Sequence, residues 1–309
     1  MAKFVAQRLL YMLITLFIIA TATFFLMKFL PGTPFANQEK LSDAQIEILN
    51  EKYGLDEPLP VQYVTYMGNL AQGDLGVSFQ FDNRSVNDIL LGRMGPSFIL
   101  GFQAILFGTL FGVILGIFAA IYQNTVIDYG ATLIAVIGKA VPSFVLAAIL
   151  QYWLAVKLEL FPIAFWKGPE YSILPTIALA IFPLATAARF IRTEMIEVLS
   201  SDYITLARAK GASGFEIAVK HSLRNALIPL ITVLGPMAIS LMTGSLVVEN
   251  IFSIPGIGEQ FVKAIQVNDF PIIMGTTIFF AILFIGIIFI VDVLYGIIDP
   301  RIRVAGGND

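Results

Sequence analysis

The sequence predicts an all-α membrane protein of six transmembrane helices, with a small helical extracytoplasmic insertion after the first. Three observations carry that prediction. Of 309 residues, 57% are hydrophobic and only 13% charged, with a mean hydropathy of +0.83, where soluble domains are about a quarter charged. Six apolar runs, 9–30, 98–122, 133–157, 173–193, 228–249 and 273–297, are each long enough to cross a hydrocarbon core about 30 Å thick. Charge is also sorted by side. Lys3 and Arg8 precede the first run, Arg189 and Arg192 close the fourth, and Arg301 and Arg303 follow the sixth, whereas residues 31–95 hold nine Asp/Glu against four Lys/Arg. The positive-inside rule then places both termini, and the loop between the fourth and fifth runs, in the cytoplasm.

Several kinds of chemistry are excluded by residue inventory. There is no cysteine, so neither disulfides nor thiolate metal sites can form, and the single histidine, His221, rules out a multi-histidine centre. Gly138-Lys139 has Leu133 and Ala140 where a phosphate-binding loop needs Gly and Ser or Thr. With no nucleophile elbow or metal motif either, the chain is expected to catalyse nothing and to bind no cofactor or nucleic acid itself.

Lys3 and Arg8 before an apolar run resemble a signal peptide, but Leu9–Leu30 is too long and lacks a small-residue cleavage site, so a retained anchor is expected. Pro31-Gly32-Thr33-Pro34 then stops the helix. Ser42 with Gln45 is a capping box, Ile46, Leu49 and Tyr53 share a helical face, and Gly54 ends that helix. Val61, Val64, Met67 and Ala71 mark a second short amphipathic helix. A turn follows at Gly73-Asp74-Leu75-Gly76. Ser85 starts a third helix, leading through Gly95-Pro96 into the second span, so residues 31–97 read as a helical cap outside the membrane.

Gly108, Gly112 and Gly116 form a small-xxx-small stripe on the second span, the mark of a close helix contact whose partner the sequence leaves open. Proline at 142, 183, 229 and 236 permits bends in the later spans. Arg189, Arg192 and Glu249 lie near span ends and are expected to snorkel to the interface. Lys139 and Asp292 lie deeper, where ionisable groups are costly, and an internal ion pair between them is expected. Lys139 as a ligand for a substrate carboxylate is the competing reading. After the fifth span, Ser253-Ile254-Pro255-Gly256-Ile257-Gly258 has turn chemistry, with a short helix expected over 259–267.

The stretch that stands out is Asp202–Pro229, a polar island between apolar spans carrying Arg208, Lys210, Lys220, His221 and Arg224. Helix formers run from Tyr203 to Lys210, Gly211 and Ser213-Gly214 interrupt them, and Phe215, Val219 and Leu223 recur at helical spacing. The pattern predicts a helix–turn–helix at the membrane surface with an exposed knuckle at Gly211. A loop that only sets topology is the plainer reading.

Ala207, Ala209 and Gly211, followed by Lys220, His221, Leu223, Arg224, Asn225 and Ala226, resemble the cytoplasmic EAA loop of ABC-importer permeases, in the peptide/nickel branch. The motif's glutamate is absent, with Leu206-Ala207-Arg208-Ala209 in its place, so its acidic contact has no counterpart. The run from Leu55 to Phe79 is similar to the outer region of oligopeptide permease B-type subunits. The resemblance continues through Thr243-Gly244-Ser245, Val248-Glu249, Ile251-Phe252, Pro255-Gly256-Ile257-Gly258, Asp269-Phe270-Pro271 and Met274-Gly275. It ends with Val291-Asp292, Tyr295 and Asp299-Pro300-Arg301-Ile302-Arg303. It spans nearly the whole chain, and the ordered combination is far more specific than any one piece.

That resemblance implies a type I ABC importer permease fold with a core over 98–300, and a subunit carrying half of a peptide translocation path. It implies a second homologous permease, one or two ATPase subunits that use ATP and Mg2+, and an extracellular peptide-binding protein as partners. Tyr203, Ala207, Arg208, Ala209, Gly211, Ala212, His221 and Arg224 would form the ATPase-coupling loop. Glu249, Pro255, Gly256 and Gly258 would be binding-protein or gate contacts. Dipeptide, nickel and other small-solute systems share the motifs. From other classes, a secondary transporter would show an inverted repeat, which is not seen, and coupling acids, which are few, and a structural or receptor subunit would bind partners without transport.

Overall fold

The structure, a computed structural model, describes residues 2–29, 43–217 and 222–298; within these, the side chains at 2–4, 43–44, 208, 215, 224–225, 228–229, 231–232 and 290–298 are not described. Among the described residues the chain is helical, and the only β pairing is an isolated bridge between Val77 and Ser85. Five helices are long and apolar enough to cross a membrane, or six when one bent pair counts as a single span.

The chain divides into two compact units, residues 1–95 with 259–309, and residues 96–258. The first contains α1 (Ala2–Phe29), α2 (Asp43–Tyr53), α3 (Leu59–Ala71), most of α12 (Ile257–Gln266), the short helix expected over 259–267, and α13 (Phe270–Ile298), with α1 packed along α13. The insertion is built on aromatic contacts. Phe24 and Phe25 of α1 meet Tyr63 and Tyr66 of α3 with ring centroids 5.4–5.5 Å apart, and the Thr21 and Tyr63 hydroxyls lie 2.8 Å apart. Gly54 ends α2 at φ +61°, a conformation that favours glycine. The capping Ser42 lies outside the described residues.

Asp269 ties the insertion to α13. Its carboxylate is fully buried and accepts from the Ser78 hydroxyl, from the Phe79 and Gln80 amides at 3.4 and 3.2 Å, and from the Ile272 amide at 3.4 Å. One side chain thus caps α13 and closes the 78–80 loop. A second tie runs from Arg93 to Glu259 at 2.6 Å, with Lys263 also on that carboxylate.

The second unit is organised around α7 (Ile173–Leu199), whose apolar window is 61% buried where that of α1 is 11%. The long helix α4 (Val86–Ile121), continuous through Pro96, lies against it. A Cβ added at Gly108, Gly112 or Gly116 would stand 2.5, 2.4 or 2.7 Å from the carbonyl oxygens of Ala180, Leu184 and Ala188. The glycine stripe therefore packs on α7 of the same chain, and its missing side chains let the two backbones approach.

The third span, expected over 133–157 with a bend permitted at Pro142, is broken sharply there. It is two helices, α5 (Val126–Ala140) and α6 (Ser143–Leu150), the latter continuing as a wider π-turn to Lys157, bent by 102° at the break. Pro142 causes the break: it has no N–H to donate and forces Val141 into extended backbone at φ −87°, ψ 118°. The fifth span, Val233–Ile251, is interrupted, with α10 (Arg224–Met242) separated from α11 (Leu246–Ile251) by Gly244 at φ +106°.

Candidate functional site

Between α7 and α10 the chain folds as α8 (Asp202–Ala209), a turn, and α9 (Gly214–Glu216). The Ser200 and Ser201 hydroxyls donate to the Glu197 and Val198 carbonyls at 2.7 and 2.6 Å, which closes the end of α7 and leaves a two-residue link to α8. The Ala212 amide returns to the Ala207 carbonyl at 3.1 Å, a Schellman closure with Gly211 in the left-handed position at φ +86°. Ser213 then caps α9 by accepting from the Glu216 amide at 3.2 Å.

Burial fixes the orientation of this hairpin. Ile204 and Ile217 are buried, while Tyr203, Leu206, Ala209, Lys210 and Gly211 are exposed. Nothing lies within 4 Å of a Cβ built on Gly211. Ala207 and Ala212 are half-buried at the turn's base. His221, and the side chains of Arg208 and Arg224, lie outside the described residues. Beyond them α10 is held to α7 by buried Ala226 and Leu230 against Ala187, Ile191 and Met195.

The second constellation gathers around Glu249, which is 1% exposed rather than a snorkelling span-end residue. Ser97 donates to Glu249 Oε1 at 2.8 Å and accepts from the Ile257 amide at 2.9 Å, and the Ser245 amide donates to Oε1 at 3.3 Å. Three glycines make room for this carboxylate. An added Cβ would meet its oxygens at 2.9 Å from Gly244, 2.3 Å from Gly256 and 2.8 Å from Gly258. Glu249, Gly256 and Gly258 are therefore buried against one another, and of the four residues expected at this surface only Pro255 is exposed. The physical reason is hydrogen bonding: a carboxylate satisfied by a hydroxyl and an amide can remain inside.

A third group was not foreseen. Asp128, in the first turn of α5, is 1% exposed and accepts Arg192 Nε at 2.5 Å and Nη2 at 2.8 Å from α7. The Asn124 amide at 2.9 Å completes its shell. Arg192 is thus a bidentate partner instead of a snorkelling cation. Asp128 fell before the expected start of its span, and only its place in a first helical turn hints at a role.

Lys139, in the last turn of α5, is exposed and lines a cavity of about 600 Å³ with Arg189 and Arg192. The side chain of Asp292, its expected partner, lies outside the described residues.

Residues 112–304 match the family described as binding-protein-dependent transport system inner membrane component, and residues 1–98 match that family's N-terminal component. The dipeptide transport system permease protein DppB of Lactococcus lactis is 48% identical over 98% of this chain and 100% of its own length. The Bacillus subtilis protein of the same name is 46% identical over 98% of each. The oligopeptide transport system permease protein OppB of Haemophilus influenzae is 42% identical over 98% of this chain and all of its own. Among solved structures, the inward-facing MetNI methionine ABC transporter aligns with a TM-score of 0.56 at 18% identity, covering 68% of this chain and 96% of that one. That likeness shows the type I ABC importer permease fold.

Proposed function

Because this chain belongs to the binding-protein-dependent transport system inner membrane components, we propose that it is one membrane-spanning permease subunit of an ATP-driven peptide importer. The observation that carries this reading is its 48% identity, end to end, with a dipeptide permease. Relatives named for dipeptides and for oligopeptides both support peptides as the cargo class.

In this reading the chain holds no nucleotide or metal. Separate ATPase subunits use ATP and Mg2+, an extracellular binding protein delivers the peptide, and a second homologous permease completes the path. Both termini and the α8–α9 hairpin face the cytoplasm of a bacterial cell. The hairpin suits docking because its turn is open at Gly211 and apolar at Tyr203 and Leu206. Closure of the ATPases moves it, and the short serine-capped link passes that motion to α7. Since α7 carries the contacts of α4, α5 and α10, its displacement rearranges the whole second unit, a bistable element coupling two distant sites.

The test is reconstitution of the chain with the second permease, the ATPases and the binding protein in proteoliposomes. ATP-dependent accumulation of a labelled di- or oligopeptide is expected. Accumulation without ATP, driven by an ion gradient, would overturn the reading in favour of a secondary transporter.

A further inference from the structure

We propose that Lys139 and Arg189 form a cationic receiving site for the carboxylate of a peptide in transit; this rests on the peptide-importer reading above. Lys139 belongs to an apolar bent span and Arg189 to a membrane-spanning helix. A cation in such a position is costly unless it serves a ligand or a partner. Among the described residues neither has a carboxylate within ion-pair distance. The nearby acid, Asp128, is already held bidentately by Arg192. Asp128 is therefore engaged elsewhere and does not neutralise Lys139 or Arg189.

Geometry brings them to one place. Ala135, one turn before Lys139, packs on Ala185 and Ala188 of α7, and a Cβ on Gly138 would touch Ala185 at 3.0 Å. Arg189 follows Ala188 directly. Both side chains line the same cavity, whose other walls include Ala131, Ala135 and Ala188. Small walls leave room, and about 600 Å³ falls within the roughly 300–1,000 Å³ of small-ligand sites. The site also adjoins the 102° break at Val141-Pro142.

The chemistry selects the ligand. A terminal carboxylate is the one anionic group that every unmodified linear peptide carries whatever its sequence. Two exposed cations attract it weakly enough to let it leave, as a path requires. A phosphate, such as a lipid headgroup, offers the same charge and must be distinguished.

The experiment uses the reconstituted complex with its binding protein. Uptake of one peptide is compared with uptake of its C-terminal amide, in the unmutated complex and in Lys139→Gln/Arg189→Gln. The ratio of acid to amide uptake within each complex removes the binding protein's own preference. The double variant is expected to lower that ratio about tenfold, the scale of one charge-assisted hydrogen bond. Equal loss for both peptides, or no loss for either, would overturn the proposal. Vesicles with and without anionic phospholipid form the second arm: an effect that appears only with anionic lipid and is blind to the amide assigns the site to a headgroup and overturns the peptide assignment.

If the double variant does not assemble, Val136→Cys, at a position that also lines the cavity, gives an independent readout in the otherwise cysteine-free chain. Free-acid peptide should slow its labelling by a negatively charged thiol reagent, and the amide should not. Equal protection by both would refute the site. Absence of uptake by the unmutated complex would instead count against the importer reading itself.

Discussion

Arg192→Ala should destabilise the protein far more than Asp128→Ala, although both remove the same ion pair. Asp128 is 1% exposed and Arg192 31%. Without the guanidinium, the carboxylate keeps only the Asn124 amide at 2.9 Å and a long contact to the Thr132 hydroxyl at 3.5 Å. Stranding one member of a buried pair costs about 3–5 kcal/mol, and the partial exposure on the Arg192 side admits water and favours the lower end, about 3 kcal/mol. Asp128→Ala leaves a cation that water already reaches, at a cost of about 1 kcal/mol. The double variant contains no stranded charge and should fall nearer Asp128→Ala than the sum of the two. Titration of the purified protein in mild detergent with SDS, followed by helix content, measures each loss. Equal losses for the two single variants, or an undiminished Arg192→Ala protein, would refute the account of this pair.

Three further outcomes are expected. Gly211→Asn should keep uptake, because asparagine tolerates the left-handed conformation, whereas Gly211→Val should strain the turn by about 1–2 kcal/mol and reduce uptake per inserted copy; normal transport by the valine variant would remove Gly211 from the coupling element. Gly112→Leu should lower the yield of folded protein, since its Cβ would sit 2.4 Å from the Leu184 carbonyl, and gel filtration of a normal yield would contradict the α4–α7 contact. Asp269→Ala should free the 78–80 loop and speed trypsin cleavage at exposed Arg84 while α13 still inserts; an unchanged digestion rate would show that the loop does not depend on that carboxylate.

Local chemistry explains which features could be read in advance. Gly211 was legible because a glycine between two runs of helix formers has few other uses. The glycine stripe at 108, 112 and 116 announced a close contact, but its partner lies some seventy residues away, and periodicity carries no address. Pro142 announced a bend, not its size, because the angle depends on what α5 and α6 each pack against. Glu249 was misread because an acid near a span end normally reaches water; three glycines and Ser97 had to converge before burial became tolerable. Asp128 is one acid paired with an arginine 64 residues away, and no local pattern links them.

The most direct test of the central claim uses the absence of native cysteine. Ala209→Cys, on the exposed side of the hairpin, would be treated with a short bifunctional thiol crosslinker in membranes containing the whole transporter. The account predicts a covalent product with an ABC ATPase subunit, whose yield changes when ATP is trapped. An ATPase crosslinked instead to a cysteine at Asp74 in the insertion, with none at Ala209→Cys, would contradict it.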